Sequence, residues 1–141
     1  MKVRDVETGF VIKLERGEKV LATLINFCEK RGITGGVLHA IGAVKNTEIG
    51  YYNLEKREYF FKLIPEDREV ASMTGNIALV DGKPFVHAHA VLSSMDDTLS
   101  CIGAHIKEAE VAVTLEVYLT PFPVTFERKY DEDTGLKLLS I

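Results

Sequence analysis

Residues 75–119 read GNIALVDGKPFVHAHAVLSSMDDTLSCIGAHIKEAEVAVTLEVYL and hold three of the four histidines of the chain. Two of these, His87 and His89, lie in the apolar run Phe85–Leu92. The run is rich in branched residues and follows Asp81-Gly82, a pair typical of hairpin turns, so we predict a β-strand. Because side chains alternate faces along a strand, both imidazoles project to the same side, about 6.6 to 7 Å apart.

The third histidine of this stretch, His105, follows Ile102-Gly103-Ala104, which we interpret as a glycine-bearing loop. Three imidazoles suit zinc, which takes three protein ligands at open sites and keeps a water molecule in the fourth position. The alternative is that each histidine is hydrogen-bonded or exposed and binds no ion. Two unpartnered imidazoles buried in an apolar strand would cost several kcal/mol, however. The pattern therefore favours a metal site formed by His87, His89 and His105.

The most regular alternation in the chain runs from Val111 to Leu119. Every second residue is a valine or a leucine, which predicts a strand whose apolar set, Val113 included, faces the core. Glu116 then lies on the opposite face. Because this strand follows His105, Glu116 is our candidate for a catalytic base or an additional ligand. The alternative is an ordinary exposed or interface glutamate.

One segment outside this stretch predicts a helix. Residues 15–18 are expected to open it, and apolar residues recur at helical spacing from Val20 to Cys28. Two basic residues near its end complement the negative end of the helix dipole, and Gly32 is a natural stop.

The other regular segments are predicted to be strands. They are Phe10–Leu14, Gly35–Gly42, Glu48–Tyr52, Glu58–Leu63, Val70–Val80 with a break near Gly75, and Thr125–Tyr130. Ile106–Glu110 fits either a helical turn or a strand. Many strands with one early helix predict an α+β fold with a mostly antiparallel sheet. No linker or repeat interrupts residues 1–141, so we expect a single domain. The apolar tail, Leu136–Ile141, indicates either a partner surface or a segment folded back on its own subunit.

Composition limits the classes of function. The net charge of −4 and the pI near 5.6 argue against a surface built for duplex DNA, which normally has a basic excess. No run of 18 apolar residues predicts a membrane span, and the N-terminus lacks the apolar core of a signal peptide. Cys28 and Cys101 have no metal-ligand spacing and read as reduced thiols. We therefore expect a soluble cytoplasmic protein.

Short motifs follow one another along the whole chain. They are LERGE at 14–18, IGA at 41–43, GYY at 50–52, GN at 75–76, HAH at 87–89, IGAH at 102–105 and TLEV at 114–117. None of these is highly specific alone, but their order and spacing together resemble the PPC domain, the plants and prokaryotes conserved domain. The resemblance covers nearly the full length.

The resemblance implies a compact α+β fold, a homotrimer, and a histidine metal site of the kind found in many prokaryotic members. The fold also resembles acetolactate decarboxylase, a lyase whose zinc is held by a similar His-x-His pair and a distant histidine. Carried over to this sequence, the ligands are His87, His89 and His105. Members of the family often have Gly-Gly-His where this chain has Gly103-Ala104-His105. Plant relatives carry an AT-hook, an Arg-Gly-Arg-Pro element for the minor groove, which this sequence lacks.

Three functions are consistent with these observations. The first is a trimeric binding or assembly module that contains a metal ion, with zinc as the expected ion. The family's DNA-binding label makes nucleic acid at most a weak or indirect partner. The second is a zinc-dependent lyase or hydrolase acting on a small oxygen-rich molecule, with Glu116 as its base. The third is a protein that binds nucleic acid directly, which the acidic charge and the missing hook disfavour. We favour the first, because fold likeness alone does not establish a reaction.

Overall fold

The computed structural model describes all residues from Met1 to Ile141. It contains one helix and nine strands joined in a single sheet. In chain order these are β1 Lys2–Val6, β2 Gly9–Glu15, α1 Val20–Arg31, β3 Gly36–Asn53, β4 Glu58–Ile64, β5 Arg68–Val80, β6 Lys83–Ser94, β7 Cys101–Pro121, β8 Glu127–Tyr130 and β9 Lys137–Ser140. The predicted α+β class, with one helix and many strands, is what the structure shows.

The sheet closes on itself through its longest strands. β3 pairs with β5, β5 with β6, β6 with β7, and β7 again with β3, all antiparallel. One pairing is parallel, between β5 and β8 at Leu79 and Glu127, so the sheet is mixed rather than purely antiparallel. We call the closed set of β3, β5, β6 and β7 the ring. Its inner face is buried, and its outer face is open to a ligand or a partner.

Helix α1 covers part of the core and is capped from a distant strand. It begins at Val20, later than the sequence predicts, because Gly17 adopts a left-handed turn conformation with φ 87°. Lys19 provides no side-chain cap. The Glu108 carboxylate of β7 instead accepts hydrogen bonds from the backbone N–H groups of Leu21 at 2.7 Å and Ala22 at 3.0 Å. A carboxylate at this position also complements the positive end of the helix dipole.

The end of the helix agrees with its sequence signals. Gly32 takes the left-handed conformation at φ 65°, and its N–H reaches the carbonyls of Cys28 and Glu29. The apolar face of α1 joins Ile12, Leu14 and the inner residues of the sheet in one core cluster of 26 buried residues. The cluster includes residues of β2, of α1 and of the strands from β3 to β7, so the helix and the closed sheet share one apolar core.

Several strands differ from their predicted bounds. β3 joins the two predicted strands at 35–42 and 48–52 into one element. Its pairing with β7 shifts register between Lys45 and Glu48, where Asn46 takes φ 47°. The irregularity predicted near Gly75 lies instead between Val70 and Ser72. β7 begins at Cys101, so the predicted loop at Gly103 and the ambiguous segment 106–110 are both strand.

The predicted inward position of Val113 is wrong. Val113 is 65% exposed, whereas its neighbour Ala112 is buried. The register between β3 and β7 shifts between Gly42 and Val44, where two steps along β3 oppose four along β7. A bulge of this kind interrupts the alternation of faces, and a sequence pattern with period two does not reveal it.

The apolar tail folds back on its own chain. β9 pairs antiparallel with β8, with Tyr130 opposite Lys137 and Glu127 opposite Ser140. This is the second of the two alternatives left open by the sequence, although Leu138 and Leu139 remain about two-fifths exposed. No helix in the structure combines the length and the apolar character that a membrane span requires.

Candidate metal centre

Strand pairing brings the three predicted histidines together on the outer face of the ring. His87 and His89 lie on β6, and His89 is directly opposite His105 on β7. The centroids of the imidazoles are 5.2 Å apart for His87 and His89, 5.1 Å for His87 and His105, and 5.4 Å for His89 and His105. One ring nitrogen from each histidine lies within 4.8 Å of the others. We call these residues the triad.

The triad fits a tetrahedral metal ion with small adjustments. Zinc–nitrogen bonds of about 2.0–2.1 Å in a tetrahedron place the ligand nitrogens about 3.4 Å apart. Shifts of less than about 1 Å, within the reach of side-chain rotation, bring the triad to that separation. His87 and His105 are half-buried and His89 is exposed, so the fourth side of the site faces outward. The donor set is three neutral nitrogen atoms, which zinc and other late divalent metals accept.

Burial keeps two of the imidazoles in the neutral form that ligates metal. The pKa of His87 is lowered to about 4, chiefly by desolvation and then by the nearby Arg128 guanidinium and the other two histidines. The pKa of His105 is also lowered, first by desolvation and then by His89 and Arg128. Since only the unprotonated nitrogen has a free lone pair, the site is prepared for a cation at neutral pH.

Arg128 of β8 contacts the triad directly. Its Nη2 lies 3.1 Å from Nδ1 of His87 and donates to Oδ1 of Asn76 at 2.7 Å. A guanidinium has no acceptor, so Nδ1 of His87 accepts this hydrogen bond and the neutral ring carries its proton on Nε2. Asn76 is paired with His87 across β5 and β6, which explains why one guanidinium reaches both.

Aromatic residues of β4 cover the other side of the triad. Tyr59 lies 5.2 Å and Phe61 6.1 Å from the ring of His105, measured between centroids. Gly50 makes this close approach possible. It lies opposite both His105 and Phe61, and a Cβ there would meet the carbonyl oxygen of Phe60 at 1.9 Å.

A cavity of about 230 Å³ opens beside His87 and is mostly apolar. Arg128 lies in its wall, over the ring of Phe85 with 5.7 Å from Cζ to the centroid. The lining residues are Tyr59, Val80, Phe85, His87, Arg128, Leu136, Lys137 and Leu138. A small apolar cavity with few polar groups, placed next to a candidate metal site, is the usual form of a small-molecule pocket.

The structure does not bring Glu116 to the triad. Glu116 is exposed on β7, opposite Lys13 of β2 and Ile41 of β3, eleven positions beyond His105. That interval corresponds to about 35 Å of extended strand. His39 is closer, since Thr74 of β5 is paired with both His39 and His89, but His39 is outside the triad.

Arg128, Asn76 and Tyr59 were not identified from the sequence as neighbours of the triad. Arg128 belongs to the short strand β8, which pairs with β5 at a single parallel residue pair, and this long-range pairing leaves no local pattern in the sequence. Asn76 could have been inferred, because it stands on the strand that the Asp81-Gly82 turn joins to the histidine strand. Counting outward from that turn places Asn76 opposite His87, as the structure has it.

The fold is α+β, with one helix and a mixed sheet, and three imidazoles converge on the outer face of that sheet. These features define the chain as a β-rich protein with a candidate metal centre. The model of the Plants and Prokaryotes Conserved (PCC) domain matches residues 1–123. The chain belongs to this family. The comparison with curated proteins gave no match.

Solved structures share this fold. A plant- and prokaryote-conserved protein from Pyrococcus horikoshii is 36% identical over 93% of this chain and 90% of its own, with a TM-score of 0.85. A metal-containing protein from Archaeoglobus fulgidus is 37% identical, with full coverage of both chains and a TM-score of 0.85. A protein from Ralstonia eutropha, described as a "Putative DNA-binding protein", is 26% identical over 99% of this chain and 96% of its own, with a TM-score of 0.90.

Proposed function

We propose that residues 1–141 form a single metal-containing binding module whose zinc ion is held by His87, His89 and His105. The convergence of three ring nitrogens within 4.8 Å carries this proposal. The description of the A. fulgidus protein as metal-containing, at 37% identity over the full chain, supports it. Three imidazoles and no thiolate or carboxylate suit zinc better than magnesium or calcium, which prefer oxygen ligands.

Thermal unfolding tests this proposal on the chain itself. Protein stripped with a chelator should gain stability when zinc is added, because a ligand that binds only the folded state raises the unfolding midpoint. Magnesium at the same concentration should leave the midpoint unchanged. A zinc-induced shift that persists in a His87→Ala, His89→Ala, His105→Ala triple variant would assign the ion to another site.

We further propose that the module assembles as a homotrimer. The support is the outer face of β3 and β7, where large apolar side chains remain uncovered in a single chain. Ile41 is 53%, Val113 65% and Tyr118 52% exposed. Ile41 and Tyr118 are diagonal neighbours, because Ile41 pairs with Glu116 and Tyr118 with His39. Contiguous exposed apolar groups of this kind mark interaction surfaces, and a second and third copy would cover them.

A zinc-dependent lyase or hydrolase is the second candidate, and the cavity beside His87 favours it. Zinc with one open position supplies a Lewis acid for an oxygen-rich small molecule. Glu116 is the nominated base, but its place eleven positions along β7 from His105 requires that it act from a neighbouring copy. Zinc affinity that is the same in Glu116→Gln and the parent, measured in the oligomer, would remove Glu116 from the site.

Nucleic acid is a weaker candidate partner. The R. eutropha protein carries a DNA-binding description, but this chain has a net charge of −4. We propose only weak association that is lost as salt rises, since phosphate contacts release counterions.

A further inference from the structure

Arg128 carries a positive charge without an acidic partner. It takes part in no ion pair, and its Nε is buried without a hydrogen-bond partner. The acceptors around it are neutral: Oδ1 of Asn76, Nδ1 of His87, and the backbone carbonyl of Lys137 at 3.3 Å from Nη1. A partly buried guanidinium held only by neutral groups is costly to desolvate, and an anion would offset that cost.

Metal on His87 would release one donor of this guanidinium. If the ion took Nδ1, it would replace Arg128 at that atom. If the ion took Nε2, the ring proton would move to Nδ1, which could no longer accept from Nη2. In both cases Nη2 loses the contact that now measures 3.1 Å. Arg128 lies in the wall of the cavity beside the triad, so the released Nη2 donor becomes available to a ligand there.

We propose that Arg128 binds the carboxylate of a small molecule whose apolar body fills the cavity beside His87. The walls are apolar at Val80, Phe85, Leu136 and Leu138, and the volume of about 230 Å³ equals that of roughly eight liquid waters. Lys137 is the other cation of the wall, and its ammonium is already paired with Asp81. Arg128 is therefore the free cation, and its planar fork matches a carboxylate.

The carboxylate site rests on the proposed function, because the zinc ion on His87 is what releases Arg128. Zinc content is therefore measured first in the same sample. The probes are 4-methylpentanoate, 4-methylpentan-1-ol and acetate, titrated into zinc-loaded protein by calorimetry. The carboxylate with the branched tail should bind at least about tenfold more tightly than the alcohol, which lacks the charge, and than acetate, which lacks the apolar body. Equal affinity for acid and alcohol in zinc-loaded protein would overturn the proposal.

Two variants identify the residue. Arg128→Gln should lose about tenfold or more in affinity for 4-methylpentanoate while its affinity for the alcohol stays the same. Arg4→Gln, which removes an exposed arginine from β1, is the matched control and should bind as the parent does.

If Arg128→Gln fails to fold, the Nε–H resonance of Arg128 in the parent provides the test. It should shift on addition of 4-methylpentanoate and not on addition of the alcohol. Zinc retained together with an unmoved resonance would contradict the carboxylate site and leave the metal proposal standing. Absence of zinc would contradict the metal proposal instead.

Discussion

Nη2 of Arg128 and Nδ1 of His87 are 3.1 Å apart, so the same histidine that faces the other two imidazoles also accepts a hydrogen bond from a guanidinium. The contact places a positive charge at the edge of a candidate cation site. A metal ion and Arg128 therefore compete for His87, both through the lone pair of Nδ1 and through charge repulsion.

Removing that charge should strengthen zinc binding. We expect Arg128→Gln to bind zinc roughly tenfold more tightly than the parent, on the scale typical of residues that contact metal ligands. Competition with a chromophoric chelator measures the affinity, and Arg128→Lys, which keeps the charge, should remain close to the parent. Weaker binding by Arg128→Gln would mean that the guanidinium holds His87 in its ligating position.

The stability of the metal-free protein should fall in mild acid. The pKa of His87 is lowered to about 4 in the folded protein, chiefly by burial, against about 6.5 in an unfolded chain. The unfolded state therefore binds more protons between these values. The contribution of His87 is complete above about pH 6.5 and is lost as the pH falls toward 4. In an NMR titration of metal-free protein, the His87 ring should have a midpoint near 4; a midpoint near 6.5 would contradict the burial argument.

The cap that Glu108 gives to α1 should be visible in stability. Its carboxylate accepts hydrogen bonds from the backbone N–H groups of Leu21 and Ala22 at the N-terminus of α1. The side chain of Lys19, at the N-cap position, makes no capping hydrogen bond. Glu108→Ala should lower the free energy of unfolding by roughly 1–3 kcal/mol, since two backbone donors lose a charged acceptor. Urea denaturation at one fixed protein concentration measures this. Glu7→Ala, an exposed position in the β1–β2 turn, serves as control, and equal losses in both variants would deny Glu108 a capping role.

Sedimentation equilibrium tests the assembly. A trimer should have three times the chain mass of 15.7 kDa at micromolar concentration. Val113→Asp places a charge on the exposed apolar face and should shift the equilibrium toward smaller species. A parent protein that sediments as a 15.7 kDa monomer would refute the trimer.

The sequence was most informative where a pattern was local. The Asp81-Gly82 turn and the branched run after it predict β6 and the shared face of His87 and His89, because hairpin chemistry and strand alternation act over a few residues. Gly32 likewise predicts the end of α1. The third histidine was also identified, although the segment before it is strand rather than loop.

What the sequence could not show depended on register and on distant pairing. Val113 looked like a core residue, and only the slip between β3 and β7 turns it outward. Arg128 approaches His87 because β8 pairs with β5 at one parallel residue pair. A contact of this kind produces no periodic pattern or characteristic spacing in the sequence. Glu116 is the converse case. It follows His105 in the same strand, but each residue of a strand adds more than about 3 Å, so two residues eleven positions apart lie far from each other.

Metal content after dialysis tests the central claim most directly. Protein purified without added metal, its His89→Ala variant and its His39→Ala variant are dialysed together and analysed for zinc. His39 is the matched control, because it is an exposed histidine outside the triad. We predict about one zinc per chain in the parent and in His39→Ala, and almost none in His89→Ala. Equal zinc in all three proteins, or none in the parent, would contradict the assignment of the triad as a metal centre.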